Sequence, residues 1–122
     1  RDLRMSRGLG DVYKRQVFRK NTINSDNWTG LNVWPDRDGN VTYFYTQSIK
    51  YNLTLDMRID WNGYRIIAHL DREPAKKSLD TTILKEQGFI QEKGIWSFPY
   101  LTDPIEAKHK YIDITKAIEA TL

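Results

Sequence analysis

Two neighbouring segments of the sequence carry the residue types that acid–base chemistry needs. Asp56 lies in the run LTLDMRID, and His69 lies in the following run YRIIAHL. If the two runs pair as strands, the carboxylate can contact the imidazole and fix its tautomer, as a general base requires. The alternative is a solvated sheet face, where such ion pairs are common and contribute little stability. Asp56 and His69 are therefore the candidate catalytic residues, with that alternative left open.

Other charged and aromatic side chains are candidates for ligand binding. An arginine suits an anion such as phosphate or carboxylate, because its guanidinium group presents a planar fork of donors. Aromatic rings can stack on bases or sugars, although such rings more often belong to a core. The candidate binding residues are Arg58, Arg65, Asp60, Trp28, Trp34, Tyr43 and Tyr45.

Several other chemistries are not supported by the sequence. No motif places a serine or threonine nucleophile, and the chain has no cysteine. Two histidines, His69 and His109, without any thiolate do not favour a zinc site. A metal-dependent nuclease would need clustered carboxylates beside a lysine, and no lysine lies within 53–70. The sequence thus predicts neither a metal site nor a cofactor.

A β-hairpin over 53–70 is the element expected to position the candidate catalytic pair. Apolar and polar residues alternate strictly in the first run, and Tyr64, Ile66, Ala68 and Leu70 continue the apolar phase in the second, which is typical of strands with one buried face. Asn62-Gly63 between them predicts a two-residue type I′ turn. This turn makes paired residue numbers sum to 125, so Ile59 is expected opposite Ile66. Every pair on that face is then apolar, which predicts a core face.

The same register assigns the polar face of the hairpin. Asp56 is expected opposite His69, and Asp60 opposite Arg65, so that opposite charges meet twice across the strands. Because the apolar residues occupy the core face, this polar set is predicted to face outward or to line a cleft.

The remaining segments predict an α+β order. β-Branched and aromatic residues predict strands at Leu31–Trp34, Val41–Ser48, Phe89-Ile90 and Ile95–Leu101. Helices are predicted over about Leu79–Gln87, with Gly88 in a left-handed conformation after it, and from Asp103-Pro104 onward. Residues 108–114 fit either a helix or a strand. The fold class expected is an antiparallel meander sheet with two helices packed on one face.

The first sixteen residues have the character of a laboratory sequence. The string SRGLGDVYKRQ (6–16) matches the translation of a transposon adapter used in DNA library preparation. Residues 1–16 also show no sustained helical or strand period. We therefore expect 1–16 to be non-native and without a fold. Residues 17–122 are expected to form a single α+β domain, the C-terminal part of a longer protein.

The charge of the chain depends on those sixteen residues. The whole chain has 19 Lys and Arg against 16 Asp and Glu, but residues 1–16 supply five basic and two acidic residues. Residues 17–122 are therefore formally neutral, and nucleic-acid binding is not supported. No apolar run has the roughly 18 residues that a membrane span needs. By default we expect a soluble cytoplasmic domain, with its own missing N-terminal region as one candidate partner.

Three functions are compatible with these observations, including a structural interaction domain whose exposed aromatic residues contact the missing N-terminal region. The first is a small binding or accessory domain whose working surface is the charged face of the hairpin. The alternative is a hydrolytic or phosphodiester-cleaving enzyme that uses Asp56 and His69. The enzyme requires a concave surface with a partly buried His69, whereas binding tolerates a flat exposed face. The ligand and the substrate remain open at this point.

Overall fold

A computed structural model describes the backbone of residues 23–30, 32–35 and 42–122, and the side chains of 23–30 and 43–122. Residues 1–16, for which no fold is expected, lie outside these ranges. The strands are β1 (Asn32–Pro35), β2 (Thr42–Gln47), β3 (Leu53–Asp60), β4 (Gly63–Leu70), β5 (Ile90–Glu92) and β6 (Ile95–Ser97). The helices are α1 (Thr82–Glu86) and α2 (Pro104–Glu119).

The six strands form one antiparallel sheet in the order β1-β2-β3-β4-β6-β5. The first four strands follow each other as a meander, whereas the β5–β6 hairpin returns so that β6 lies beside β4. The expected fold class is confirmed: an antiparallel sheet combined with one short and one long helix. Among the described residues, neither helix is long and apolar enough to cross a membrane.

One face of the sheet packs into the core. Alternate residues of β3 are almost completely buried, as the apolar alternation predicts: Leu53, Leu55, Met57 and Ile59. Helix α2 contributes the buried residues Ala107, Tyr111, Ile114 and Ile118 to the same cluster. The Tyr111 hydroxyl donates a hydrogen bond of 2.7 Å to the Leu55 carbonyl, which ties the helix to the centre of the sheet.

The register predicted for the β3–β4 hairpin is wrong by two residues. Ile59 pairs with Tyr64 rather than Ile66, and paired residue numbers sum to 123. The two loop residues are Trp61 and Asn62, so Gly63 begins β4 instead of completing the turn, although its φ is positive as expected (+124°).

Two contacts of the turn explain this shift. The Asp60 carboxylate accepts a hydrogen bond of 2.8 Å from the Asn62 amide, which stabilises a turn that begins one residue earlier. Tyr64 exchanges two backbone hydrogen bonds with Leu101, at 2.7 and 2.8 Å. The shift equals the period of a strand, so the paired strand residues keep the faces predicted for them, whereas Trp61, expected on the core face, lies in the exposed turn.

The helix termini follow local sequence signals. Asp103 accepts a hydrogen bond from the Glu106 amide, and Pro104 is the first residue of α2, both as predicted. Residues 108–114 lie within this helix. Gly88 follows α1 with a φ of +100°, which confirms the predicted left-handed residue.

Helix α1 is shorter at its start than the predicted helix over Leu79–Gln87. The Leu79 amide donates to the Asn52 side chain at 3.0 Å, and the Leu79 side chain packs into the core. The Asp80 carboxylate accepts a hydrogen bond from the Thr82 amide, and this bond lowers the pKa of Asp80. These contacts hold 79–80 outside the helix, which begins at Thr82.

Candidate functional site

The site lies on the sheet face opposite the core, which we call the outer face. Three cross-strand rows build it, because residues that pair in the ladder point to the same side of the sheet. In the central row Tyr45 pairs with Asp56, and Asp56 pairs with Ile67. The rows on either side are Gln47–Thr54–His69 and Tyr43–Arg58–Arg65.

Asp56 is the centre of this arrangement. Its side chain is 6% exposed, although it lies on the face away from the core. One carboxylate oxygen, Oδ2, is 2.8 Å from Nε2 of His69 and 3.5 Å from Nη2 of Arg58. These partners provide the compensation that a buried carboxylate requires.

Asp56 and His69 interact across a diagonal of the ladder. The predicted direct pairing is wrong, because the residue opposite Asp56 is Ile67 and the residue opposite His69 is Thr54. Diagonal neighbours in a sheet remain within reach of long side chains, so the hydrogen bond forms in spite of the shift. The His69 side chain is 35% exposed, which leaves the imidazole accessible from the outer face.

A cleft of about 360 Å³ opens above this charged centre. Its lining residues come from β2, β3, β4 and the residue that follows β4: Tyr43, Tyr45, Gln47, Thr54, Asp56, Arg58, His69 and Asp71. The volume is at the lower end of the range of roughly 300–1,000 Å³ that is typical of small-molecule sites. Five of the nine predicted site residues therefore line the cleft. Tyr43, Tyr45, Asp56 and Arg58 come from β2 and β3, and His69 comes from β4.

The two tyrosines of the cleft have different surroundings. The Arg58 guanidinium lies over the Tyr43 ring, 5.4 Å from its centroid, in a cation–π contact. Tyr45 lies beside Tyr43 with a centroid distance of 6.3 Å and an angle of 47° between the rings. Tyr43 thus positions the arginine, whereas the half-buried Tyr45 offers a ring to the cleft.

Asp60 and Arg65 lie on the outer face but do not line the cleft. Their predicted direct pairing is wrong, since Asp60 pairs with Gly63 and Arg65 with Arg58. Asp60 instead accepts a hydrogen bond of 2.8 Å from the Tyr100 hydroxyl. Arg65 donates to the Ser97 hydroxyl at 3.2 Å and lies over the Tyr100 ring. These two candidates form a separate polar group near β6.

Of the two candidate tryptophans, Trp28 lies outside the cleft. Trp28 is 1% exposed, and its indole nitrogen donates a hydrogen bond of 2.8 Å to Glu119 of α2. It belongs to the core, which is the alternative that the sequence left open for the aromatics. Trp34 lies in β1 and pairs with Tyr43, but its side chain is outside the described part of the chain.

Three residues of the cleft were not among the predicted site residues. Thr54 donates a hydrogen bond of 2.7 Å to Asp71, and Gln47 completes the rim from β2. Strand alternation places Thr54 on the same face as Asp56, and this signal could have identified it. Gln47 depends on the β2–β3 register, which no tight turn specifies in the sequence.

No group of three His, Cys, Asp or Glu side chains that could hold a metal ion occurs in the part of the chain that the structure describes. The functional groups that line the cleft are one imidazole, one guanidinium, two carboxylates, two phenols, one hydroxyl and one amide. The sequence matches no protein-family model, and searches of curated proteins and of solved structures found no significant match.

Proposed function

We propose that this chain is a small-molecule-binding domain whose ligand occupies the cleft of the outer face. The observation that carries the proposal is the Asp56 carboxylate, which is buried beneath an open cleft and held by His69 and Arg58. Aromatic and hydrogen-bonding side chains surround it, and this combination is typical of a small-molecule site.

A purely structural role explains this arrangement less well. Exposed ion pairs contribute only about 0–1 kcal/mol to stability, and burial of a carboxylate has a desolvation cost. An apolar residue at position 56 would serve a structural sheet face equally well. A buried carboxylate beneath an open cleft with polar and aromatic lining is instead an arrangement that suits ligand binding.

The proposal can be tested with an NMR titration of the full chain. The probes are glucose, AMP, inorganic phosphate and acetate, each added to ¹⁵N-labelled protein. Binding in the cleft is expected to shift the amide signals of Tyr45, Asp56 and His69, and Tyr45→Ala is expected to remove the shifts. Tyr100→Ala is the matched control, because Tyr100 is an exposed aromatic on the same face outside the cleft. Shifts that cluster elsewhere, or that survive in Tyr45→Ala, would contradict the proposal.

The second candidate function is hydrolysis, which one observation supports. The imidazole of His69 is hydrogen-bonded to a buried carboxylate and lines the open cleft, where it is accessible. A carboxylate that orients an imidazole favours general-base activation of water, and Arg58 lies close enough to hold an anionic substrate group such as a phosphodiester.

The hydrolytic candidate has its own test. Bis(p-nitrophenyl) phosphate and p-nitrophenyl acetate are offered to the full chain, and nitrophenol release is followed. Activity of this site is expected to disappear in His69→Ala and to fall in Asp56→Asn, while Arg65→Ala, outside the cleft, leaves it unchanged. Turnover that is absent, or equal in His69→Ala, would exclude this candidate for these two substrate classes.

A further inference from the structure

We infer that the ligand of the cleft is a neutral, hydroxyl-rich ring, that is, a carbohydrate. This inference rests on the proposed binding function and names the chemical class of its ligand. The charge and the hydrogen-bonding groups of the cleft support it, and the aromatic lining is compatible with it.

The charge of the cleft disfavours an anionic ligand. Two carboxylates, Asp56 and Asp71, line it against one guanidinium, Arg58, which gives a formal charge of −1 when His69 is neutral. The Arg58 guanidinium is also already shared between Asp56 and the Tyr43 ring. A phosphate would therefore meet a carboxylate at the floor of the cleft, although the buried Nε of Arg58 has no hydrogen-bond partner among the described residues.

The hydrogen-bonding groups of the cleft are mixed rather than of one kind. Arg58 only donates, the Asp71 carboxylate only accepts, and the Gln47 amide and the phenols do both. A sugar hydroxyl both donates and accepts, so neighbouring hydroxyls can each find a complementary partner in such a lining. Gln47 and Asp71 are exposed at the rim, where they can contact a ligand without rearrangement of the core.

The aromatic lining of the cleft is compatible with stacking of a sugar ring. The C–H groups on one side of a sugar ring carry a small positive charge and pack against the negative face of an aromatic ring. Tyr45 can provide this face, because Arg58 covers the neighbouring Tyr43. The 47° angle between the two rings leaves no parallel slot for a nucleobase between them.

Isothermal titration calorimetry on the full chain tests this inference. The neutral probes are glucose, galactose, mannose and N-acetylglucosamine, each as its methyl glycoside and as a disaccharide; the anionic probes are AMP and inorganic phosphate. At least one neutral sugar is expected to bind, with an affinity that is the same at about 0.05 M and about 0.5 M salt, because ionic screening acts on charges. Binding of both forms indicates recognition of a single ring, and binding of the disaccharide alone indicates a longer glycan.

Three variants of cleft residues and one control variant connect the binding to the cleft. Tyr45→Ala is expected to weaken sugar binding by about tenfold or more, as loss of a central aromatic contact does. Tyr45→Phe keeps the ring and is expected to lose much less. Gln47→Ala changes an exposed side chain at the rim, so we expect it to weaken sugar binding and to leave the free energy of unfolding, measured with urea, unchanged. Tyr100→Ala should bind as the unaltered chain does.

The outcomes separate this inference from the function on which it rests. If AMP or phosphate binds in the cleft with strong salt dependence and no sugar binds, the carbohydrate class is wrong and the binding function stands. If neither class of probe binds with a dependence on Tyr45, both are overturned.

Discussion

The two faces of the β3–β4 hairpin are built from alternate residues of the same strands and differ in almost every physical respect. On the core face Leu55 and Met57 are fully buried under helix α2. On the outer face the residues between them are polar, and Asp56 alone of the β3 polar residues is buried. The comparison shows that alternation is sufficient to divide a hairpin into faces, while a site on one face depends on finer contacts.

Those finer contacts explain which parts of the site could be predicted. Face assignment survives a shift of two residues because that is the strand period. The contact between Asp56 and His69 survives as a diagonal, whereas the expected pairing of Asp60 with Arg65 does not. A prediction that uses only alternation is therefore more robust than one that uses register.

The register itself could not be predicted from the turn sequence. Gly63 lies against the Leu101 carbonyl, and Leu101 also pairs with Tyr64. These contacts come from a segment more than thirty residues further along the chain, which the local Asn-Gly signal does not contain. The cleft has the same limitation, because Tyr45 and Gln47 reach it through pairing between β2 and β3.

The largest effect is expected from a change on the core face. Leu55→Ala should reduce the free energy of unfolding by about 2–5 kcal/mol, because it removes buried methyl groups and leaves a cavity. Thr54→Ala, one residue away on the outer face, loses one hydrogen bond to Asp71 and should cost about 1 kcal/mol or less. Urea unfolding of both variants measures the difference. Equal losses would show that the two faces are not energetically distinct.

A smaller effect is expected at the β3–β4 turn, which fixes the register of the two strands. In Gly63→Ala the new Cβ would collide with the Leu101 carbonyl oxygen, in addition to the cost of its positive φ. Gly94→Ala is the matched control, because Gly94 also has a positive φ (+80°) but open space around it. We expect a loss of about 3 kcal/mol for Gly63→Ala and about 1 kcal/mol for Gly94→Ala in thermal unfolding. A larger loss at Gly94 would contradict the role of the Leu101 contact.

The smallest effect concerns Tyr111, which connects the two faces. Its hydroxyl lies on the core side and donates to the Leu55 carbonyl, while the carboxylate of the next residue, Asp56, lies on the outer side. Burial raises the pKa of Tyr111 well above its usual value of 10.0, and the Asp56 charge raises this pKa further. The negative charge of Asp56 on the outer face therefore raises the pKa of a buried group on the core side of the sheet. Tyr111→Phe removes one buried hydrogen bond and should cost about 1 kcal/mol near neutral pH.

The pH dependence of that loss tests the connection. In alkaline solution the unfolded chain releases the Tyr111 proton near pH 10, whereas the folded chain retains it, so the unfolded state binds fewer protons and stability falls as pH rises. The contribution of Tyr111 is therefore fully present below about pH 10 and decreases above it.

Urea unfolding at about pH 8 and about pH 10.5 should show a smaller decrease for Tyr111→Phe than for the unaltered chain. In Asp56→Asn the decrease in stability should begin at the same pH, because the pKa of Tyr111 in the unfolded chain sets this onset. The decrease should end at a lower pH, because the pKa of Tyr111 in the folded chain is raised less. If Tyr111→Phe falls with pH as steeply as the unaltered chain, then ionisation of Tyr111 does not connect the two faces, and each would have to be treated as electrostatically independent.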